Sequence, residues 1–118
     1  CIQADFATEH GILNFIKQLT NLTPKLRAII HNASLWIAEE GADTQAFTQM
    51  LNVHVLAPYL INEHCAPLLR QSPNADIIHI TDDVTRKGSA RRIAYCASKA
   101  ALDNLTLSFA ASLNHAAP

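Results

Sequence analysis

Apolar residues recur along this chain at two different periods, and the alternation of the two outlines an architecture. Ile12, Leu13, Phe15, Ile16 and Leu19 fall at helical spacing, which predicts an amphipathic helix with Thr8 placed to cap its start and Pro24 to end it. Ahead of that helix, CIQA (1–4) predicts the end of a short strand, followed by Asp5. LRAIIH (26–31) is β-branched and apolar on successive residues, the pattern of a strand buried on both faces. A loop containing Trp36, Gly41 and Asp43 leads into a helical stretch over 44–71, where Pro58 and Pro67 predict a kink or break. ADIIHIT (75–81) predicts a third strand, 82–93 a polar loop, and the alanine-rich stretch 94–116 a last helix. Strands separated by helices imply crossover connections and a parallel sheet. In such sheets ligands collect at the carboxyl ends of the strands, where Asp5, Asn32 and Asp82 fall.

Composition narrows the possibilities. The 118 residues allow one domain at most and are few for a nucleotide-binding enzyme. Apolar residues make up 49% and charged residues 16%, a globular balance. Nine basic and ten acidic side chains give a net charge of −1, which argues against nucleic acid or an anionic membrane as the main partner. The basic run RKGSARR (86–92) lacks interleaved aromatics and reads as a solvated loop. Cys1, Cys65 and Cys96 show no CxxC spacing, so a reduced, cytoplasmic setting fits better than a disulfide framework or a zinc site. The six histidines form no ligand pair, and no metal is expected. The longest apolar run, VLAPYLI (55–61), is too short to span a bilayer, and no signal peptide opens the chain. The first residue is not methionine, and an excerpt of a larger domain is expected.

The candidate chemistry lies in Asp82, Tyr95 and Lys99. Tyr95 and Lys99, four residues apart, share one face of a helix. A free phenol has a pKa near 10, roughly, and a neighbouring ammonium group favours its ionised form. Taken alone, such a pair could equally be two surface residues.

The surrounding residues add weight. YCASKAALDNLT (95–106) resembles the active-site helix of the short-chain dehydrogenase/reductase family, with its Tyr-x-x-x-Lys inside Tyr-x-x-Ser-Lys-Ala-Ala. HNAS (31–34) resembles that family's Asn-Asn-Ala-Gly turn, and Asp5 matches its acid after the third strand. The resemblance implies a Rossmann-like, doubly wound α/β sheet with helices on both faces. Residues 1–118 would be its central part, about three strands and three helices. The glycine-rich turn would lie upstream of residue 1, and further strands and a substrate loop would follow Pro118. It also implies that Tyr95 donates a proton, and that Lys99 binds the nicotinamide ribose and lowers the tyrosine pKa. Asp5 would bond the adenine, and Asn32, Ala33, Ser34 and Thr81 would line the cofactor cleft.

Two positions depart from the wider family. Asp82 stands where most members carry serine, thirteen residues before the tyrosine. A carboxylate cannot donate a hydrogen bond and repels a developing oxyanion, so it suits a substrate with N–H donors and C=N bonds. Pteridine reductases of the family are similar in having aspartate there, and in following Asn-Ala-Ser with an aromatic residue that stacks on the pterin, here Trp36. That branch implies NADPH and a dihydropterin substrate, dihydromonapterin first and dihydrofolate second, with Ser34, Trp36, Asp82 and Tyr95 against the ring. A turn cap for Asp82 and a core or interface role for Trp36 stay open. His54 takes the place of the family's catalytic asparagine and reads either as part of a proton relay or as a structurally satisfied helix residue. Asn52 is no substitute, because a two-residue shift rotates it to another face. His31 and His79 read as strand-end residues without catalytic duty. A carbonyl reductase, or a non-catalytic dinucleotide-binding or oligomerisation module, are the alternative functions. The helical segments 44–71 and 94–116 are those through which the family forms homodimers and homotetramers, and an alanine face (Ala97, Ala100, Ala101, Ala110, Ala111) permits close packing.

Overall fold

A computed structural model describes residues 1–116. Helix α1 (Glu9–Leu22) starts where Thr8 Oγ1 accepts the Gly11 N–H at 3.0 Å, a cap that contributes about 1 kcal/mol. Strand β1 (Ala28–His31) follows. Asp43 caps helix α2 (Thr44–Leu51) by accepting the Ala46 N–H at 2.8 Å. The predicted long helix does not break but widens: Asn52–Leu56 is a π turn that leads without a gap from α2 into helix α3 (Ala57–Leu69). Pro58 explains the place. An α-helical ladder would pair the His54 carbonyl with the N–H of residue 58, and proline has none. Pro67 lies inside α3 without ending it. Strand β2 (Asp76–His79), a 3-10 turn (Asp83–Arg86) inside the expected polar loop, and helix α4 (Ile93–Ala116) complete the order.

The two strands pair in parallel, Ala28 opposite Asp76 through His31 opposite His79. The alternating, Rossmann-like α/β arrangement is as expected, with two corrections. Residues 1–4 form no strand, since no neighbouring strand among the described residues takes up their backbone groups, so the sheet has two strands and not three. The strands are also not buried on both faces. Ile29, His31, Ile77 and His79 turn inward, whereas Ile30 and Ile78 are 62% and 46% exposed. The contacts between helices and sheet run to the inward face, where Ile29 packs on a core of Ile12 and Ile16 from α1 and Ala57, Ile61 and Cys65 from α3.

At the carboxyl ends of the strands a polar chain runs through this interior. His31 Nε2 lies 2.6 Å from Asn62 Oδ1, Asn62 Nδ2 lies 3.1 Å from His79 Nε2, and His79 Nδ1 lies 2.7 Å from Thr106 Oγ1 on α4. The Asn62 amide, 1% exposed, fixes the sense of the chain. His31 Nε2–H donates to its oxygen, its N–H donates to His79 Nε2, and His79 Nδ1–H donates to the threonine. Both histidines titrate below their ordinary range. Burial is the main cause, taking His79 down to about 4, with its neighbour His31 acting in the same direction. Thus His31 and His79 tie β1, β2, α3 and α4 together and hold the strand ends in register.

Candidate active site

A second core lies beyond those strand ends, and the candidate site is built on it. Met50 from α2 packs with Ala94, Tyr95 and Cys96 from α4, and Leu35, Ile37 and Val84 close over them. Leu35 and Ile37 face inward, so the intervening Trp36 of this extended stretch faces outward and is 58% exposed. That excludes a core role for Trp36 in this chain. Cys96 packs as a small apolar group, and all three cysteines are free.

Asp82 and Tyr95 meet directly. Asp82 Oδ2 accepts the Tyr95 hydroxyl at 2.8 Å, while Oδ1 accepts the Val84 N–H at 3.0 Å. One carboxylate oxygen therefore serves the turn and the other serves the phenol. The Val84 N–H first, and then the Tyr95 hydroxyl, hold the Asp82 carboxyl below its ordinary pKa, with Arg92 and Lys99 helping. The Tyr95 pKa moves the other way, contrary to the lowering expected from Lys99. Burial raises it, and the hydrogen bond to Asp82 and that residue's charge raise it further. The phenol is thereby kept protonated, beside an ionised carboxylate.

Lys99 is 4% exposed, and its Nζ donates to the Ile80 carbonyl at 3.1 Å. Burial lowers its pKa, opposed by Asp82 and Asp103. Arg92, expected in a solvated run, instead sets its guanidinium 5.7 Å from the centre of the Tyr95 ring. Asn32, Ala33 and Ser34 are exposed after β1, as is Thr81 after β2. Asp5 is exposed too, its Oδ1 accepting the Ala7 N–H at 2.9 Å. These groups suit a dinucleotide. An ammonium group has three donors, and Lys99 directs one to Ile80, which leaves capacity for a ribose diol next to exposed polar backbone.

His54 sits in the π turn, 1% exposed, its ring edge-on to Tyr95 with centroids 5.5 Å apart. Its Nε2 accepts the Leu35 N–H at 3.1 Å and lies 3.0 Å from Ser34 Oγ, and its Nδ1 lies 2.8 Å from Ser98 Oγ. Burial, and then Lys99, lower its pKa to about 4, so it is neutral at pH 7. Asn52 points elsewhere, its Nδ2 donating to Ala7 O at 2.7 Å. Three participants carried no assigned role in the sequence. Ser98 shares the helix face of Tyr95 three residues on, a spacing that could have identified it. Arg92 showed only as part of a charge run. Glu39, whose Oε2 accepts the Ile93 N–H at 2.9 Å across fifty-four residues, leaves no local signal.

The family model described as short chain dehydrogenase matches residues 1–116. The chain belongs to the short-chain dehydrogenase family. Among curated relatives, dihydromonapterin reductase of Enterobacter sp. (strain 638) is 52% identical over 117 residues, covering 96% of this chain and 49% of that protein. The Klebsiella pneumoniae dihydromonapterin reductase is 51% identical with the same coverage. The chain thus spans about half the length of the curated relatives it matches. Among solved structures, a metagenomic short-chain oxidoreductase in complex with NADP aligns with a TM-score of 0.84 at 23% identity, covering 97% of this chain and 52% of that one. The angucycline C-6 ketoreductase LanV with bound NADP aligns at 0.82 and 21% identity, covering 97% and 47%. At that identity the structures establish the shared fold.

Proposed function

We propose that the protein carrying this chain is an NADPH-dependent reductase that converts a 7,8-dihydropterin to its tetrahydro form, with dihydromonapterin preferred and dihydrofolate secondary. The observation that carries this reading is the Asp82–Tyr95 hydrogen bond: an ionised carboxylate and a protonated phenol meet where the wider family places serine. A dihydropterin has N–H groups for a carboxylate to accept and a C=N bond to reduce. A ketone offers only an oxygen, whose growing negative charge Asp82 would repel.

In the proposed reaction, NADPH held by Lys99 and the residues at the strand ends would supply the hydride for the carbon of the C=N bond. Tyr95 delivers the proton to the ring nitrogen once its hydroxyl turns from Asp82 Oδ2 toward the substrate. Asp82 also accepts an N–H of the ring, which sets its position. Trp36, exposed between two anchored neighbours, stacks on the flat face. Lys99 holds the nicotinamide ribose, and Asn32, Ala33, Ser34, Thr81 and Asp5 line the cofactor's path. The similarity to named dihydromonapterin reductases supports the choice of substrate.

We further propose a homo-oligomeric protein of the cytoplasm. The outer face of α4, including Ala97, Ala100 and Leu107, is exposed for packing against a second copy. Among the described residues no helix is long and apolar enough to cross a membrane.

The test is NADPH oxidation by the full-length protein with dihydromonapterin, dihydrofolate and a simple ketone in parallel. Turnover of a pterin is the expected result. Turnover of the ketone alone would assign the protein to the carbonyl reductases.

A further inference from the structure

We propose that His54 and Glu39 are positioning residues that pin the two ends of the 34–39 loop to α4, and so hold the face of Trp36 in register with the Asp82–Tyr95 pair. The inference rests on the reading of Trp36 as the pterin platform and adds what fixes it.

At one end, the Leu35 N–H donates to His54 Nε2, so that nitrogen carries no proton and the imidazole is the Nδ1–H tautomer. Nδ1–H then donates to Ser98 Oγ, and the serine hydroxyl donates to the Tyr95 carbonyl at 2.8 Å. Loop, π turn and catalytic helix become one hydrogen-bonded unit. Nε2 is held by a backbone amide, which has no proton to pass on at neutral pH, and Nδ1–H is spent on holding Ser98. His54 is therefore a tether and not a relay. At the other end, Glu39 Oε2 accepts the Ile93 N–H at 2.9 Å and the Ala94 N–H at 3.4 Å. These are first-turn donors of α4 that no helical carbonyl satisfies, and a carboxylate there also complements the helix dipole. Between the two anchors the inward Leu35 and Ile37 pack on Tyr95 and its neighbours, and Trp36 has one way to face.

Two substitutions separate the arms of His54. His54→Asn keeps an N–H near the place of Nδ1 for Ser98 but has no acceptor that reaches Leu35, and asparagine is the wider family's residue there. His54→Gln brings an acceptor oxygen to the place of Nε2. Glu39→Ala removes the other anchor. In the full-length protein, amide exchange across 33–41 and NADPH oxidation with dihydromonapterin from pH 5.5 to 8.5 are measured together. His54→Asn and Glu39→Ala are each expected to speed exchange in this loop by about 10-fold or more. They should raise KM for the pterin by roughly 5- to 10-fold, leaving kcat within about threefold and the pH profile in place. His54→Gln should restore slow exchange at Leu35. Wild-type exchange in both loosened variants would overturn the proposal, as would a lost limb of the pH profile with KM unchanged, the signature of a relay. Should the wild-type protein leave pterins untouched, the substrate reading fails, and the exchange rates still decide for or against the tethers.

Discussion

Replacing Ser98 with alanine tests the buried connection at the centre of the site. Ser98 has no exposed surface, accepts the His54 Nδ1–H at 2.8 Å and donates to the Tyr95 carbonyl at the same distance. The substitution removes a single oxygen, so the cavity contribution is small. It leaves the His54 N–H buried without a partner, which costs about 1–3 kcal/mol. Alanine's better helix propensity returns roughly 0.5 kcal/mol. A net loss of about 0.5–2.5 kcal/mol is expected, read as a lower urea midpoint with unchanged slope. Against a His54→Leu background there is no N–H to strand, and Ser98→Ala should then keep only the helix-propensity gain of roughly 0.5 kcal/mol. The double-mutant cycle should therefore show a coupling of about 1–3 kcal/mol, and additivity within about 0.5 kcal/mol would refute the connection.

Three further outcomes follow from the same geometry. His54 titrates at about 4 in the folded protein and near 6.5 when unfolded. Stability from keeping it neutral is thus complete above about pH 6.5 and is lost as pH falls toward 4, by up to about 1.4 kcal/mol per pH unit. His79 adds to the loss in the same window, and His54→Gln should flatten the slope of urea midpoint against pH. A Cβ at Gly11 would run into the Asp5 backbone carbonyl, so Gly11→Ala should destabilise by about 1–3 kcal/mol despite its helix propensity. It should also weaken NADPH binding in titration calorimetry, and an unchanged Tm and affinity would contradict the placement of Asp5. Trp36→Ala should raise KM for a pterin by about 10-fold or more with little change in Tm, because the indole is 58% exposed and stabilises little.

What the sequence disclosed was chiefly local. Helical spacing located α1, and proline located the irregularity that is the π turn, since both depend on residues a few positions apart. The pair Tyr95 and Lys99 was visible for the same reason. The strand at 1–4 was not borne out, because a strand exists only through a neighbour, and residue pattern says nothing of whether one is there. The direction of the Tyr95 pKa was misjudged because the sequence displayed the lysine four residues away, whereas the effects that dominate are burial and Asp82. Glu39 and the chain from His31 to Thr106 were hidden, since each contact joins residues far apart in sequence.

If the carboxylate of Asp82 selects a pterin over a carbonyl substrate, Asp82→Ser in the full-length protein must shift kcat/KM between dihydromonapterin and a ketone. Loss of a charge-assisted contact is expected to lower the pterin value by roughly 10- to 100-fold, while the ketone value rises from its baseline. A variant that keeps its pterin activity, or loses both activities in equal proportion, would contradict the assignment of specificity to Asp82.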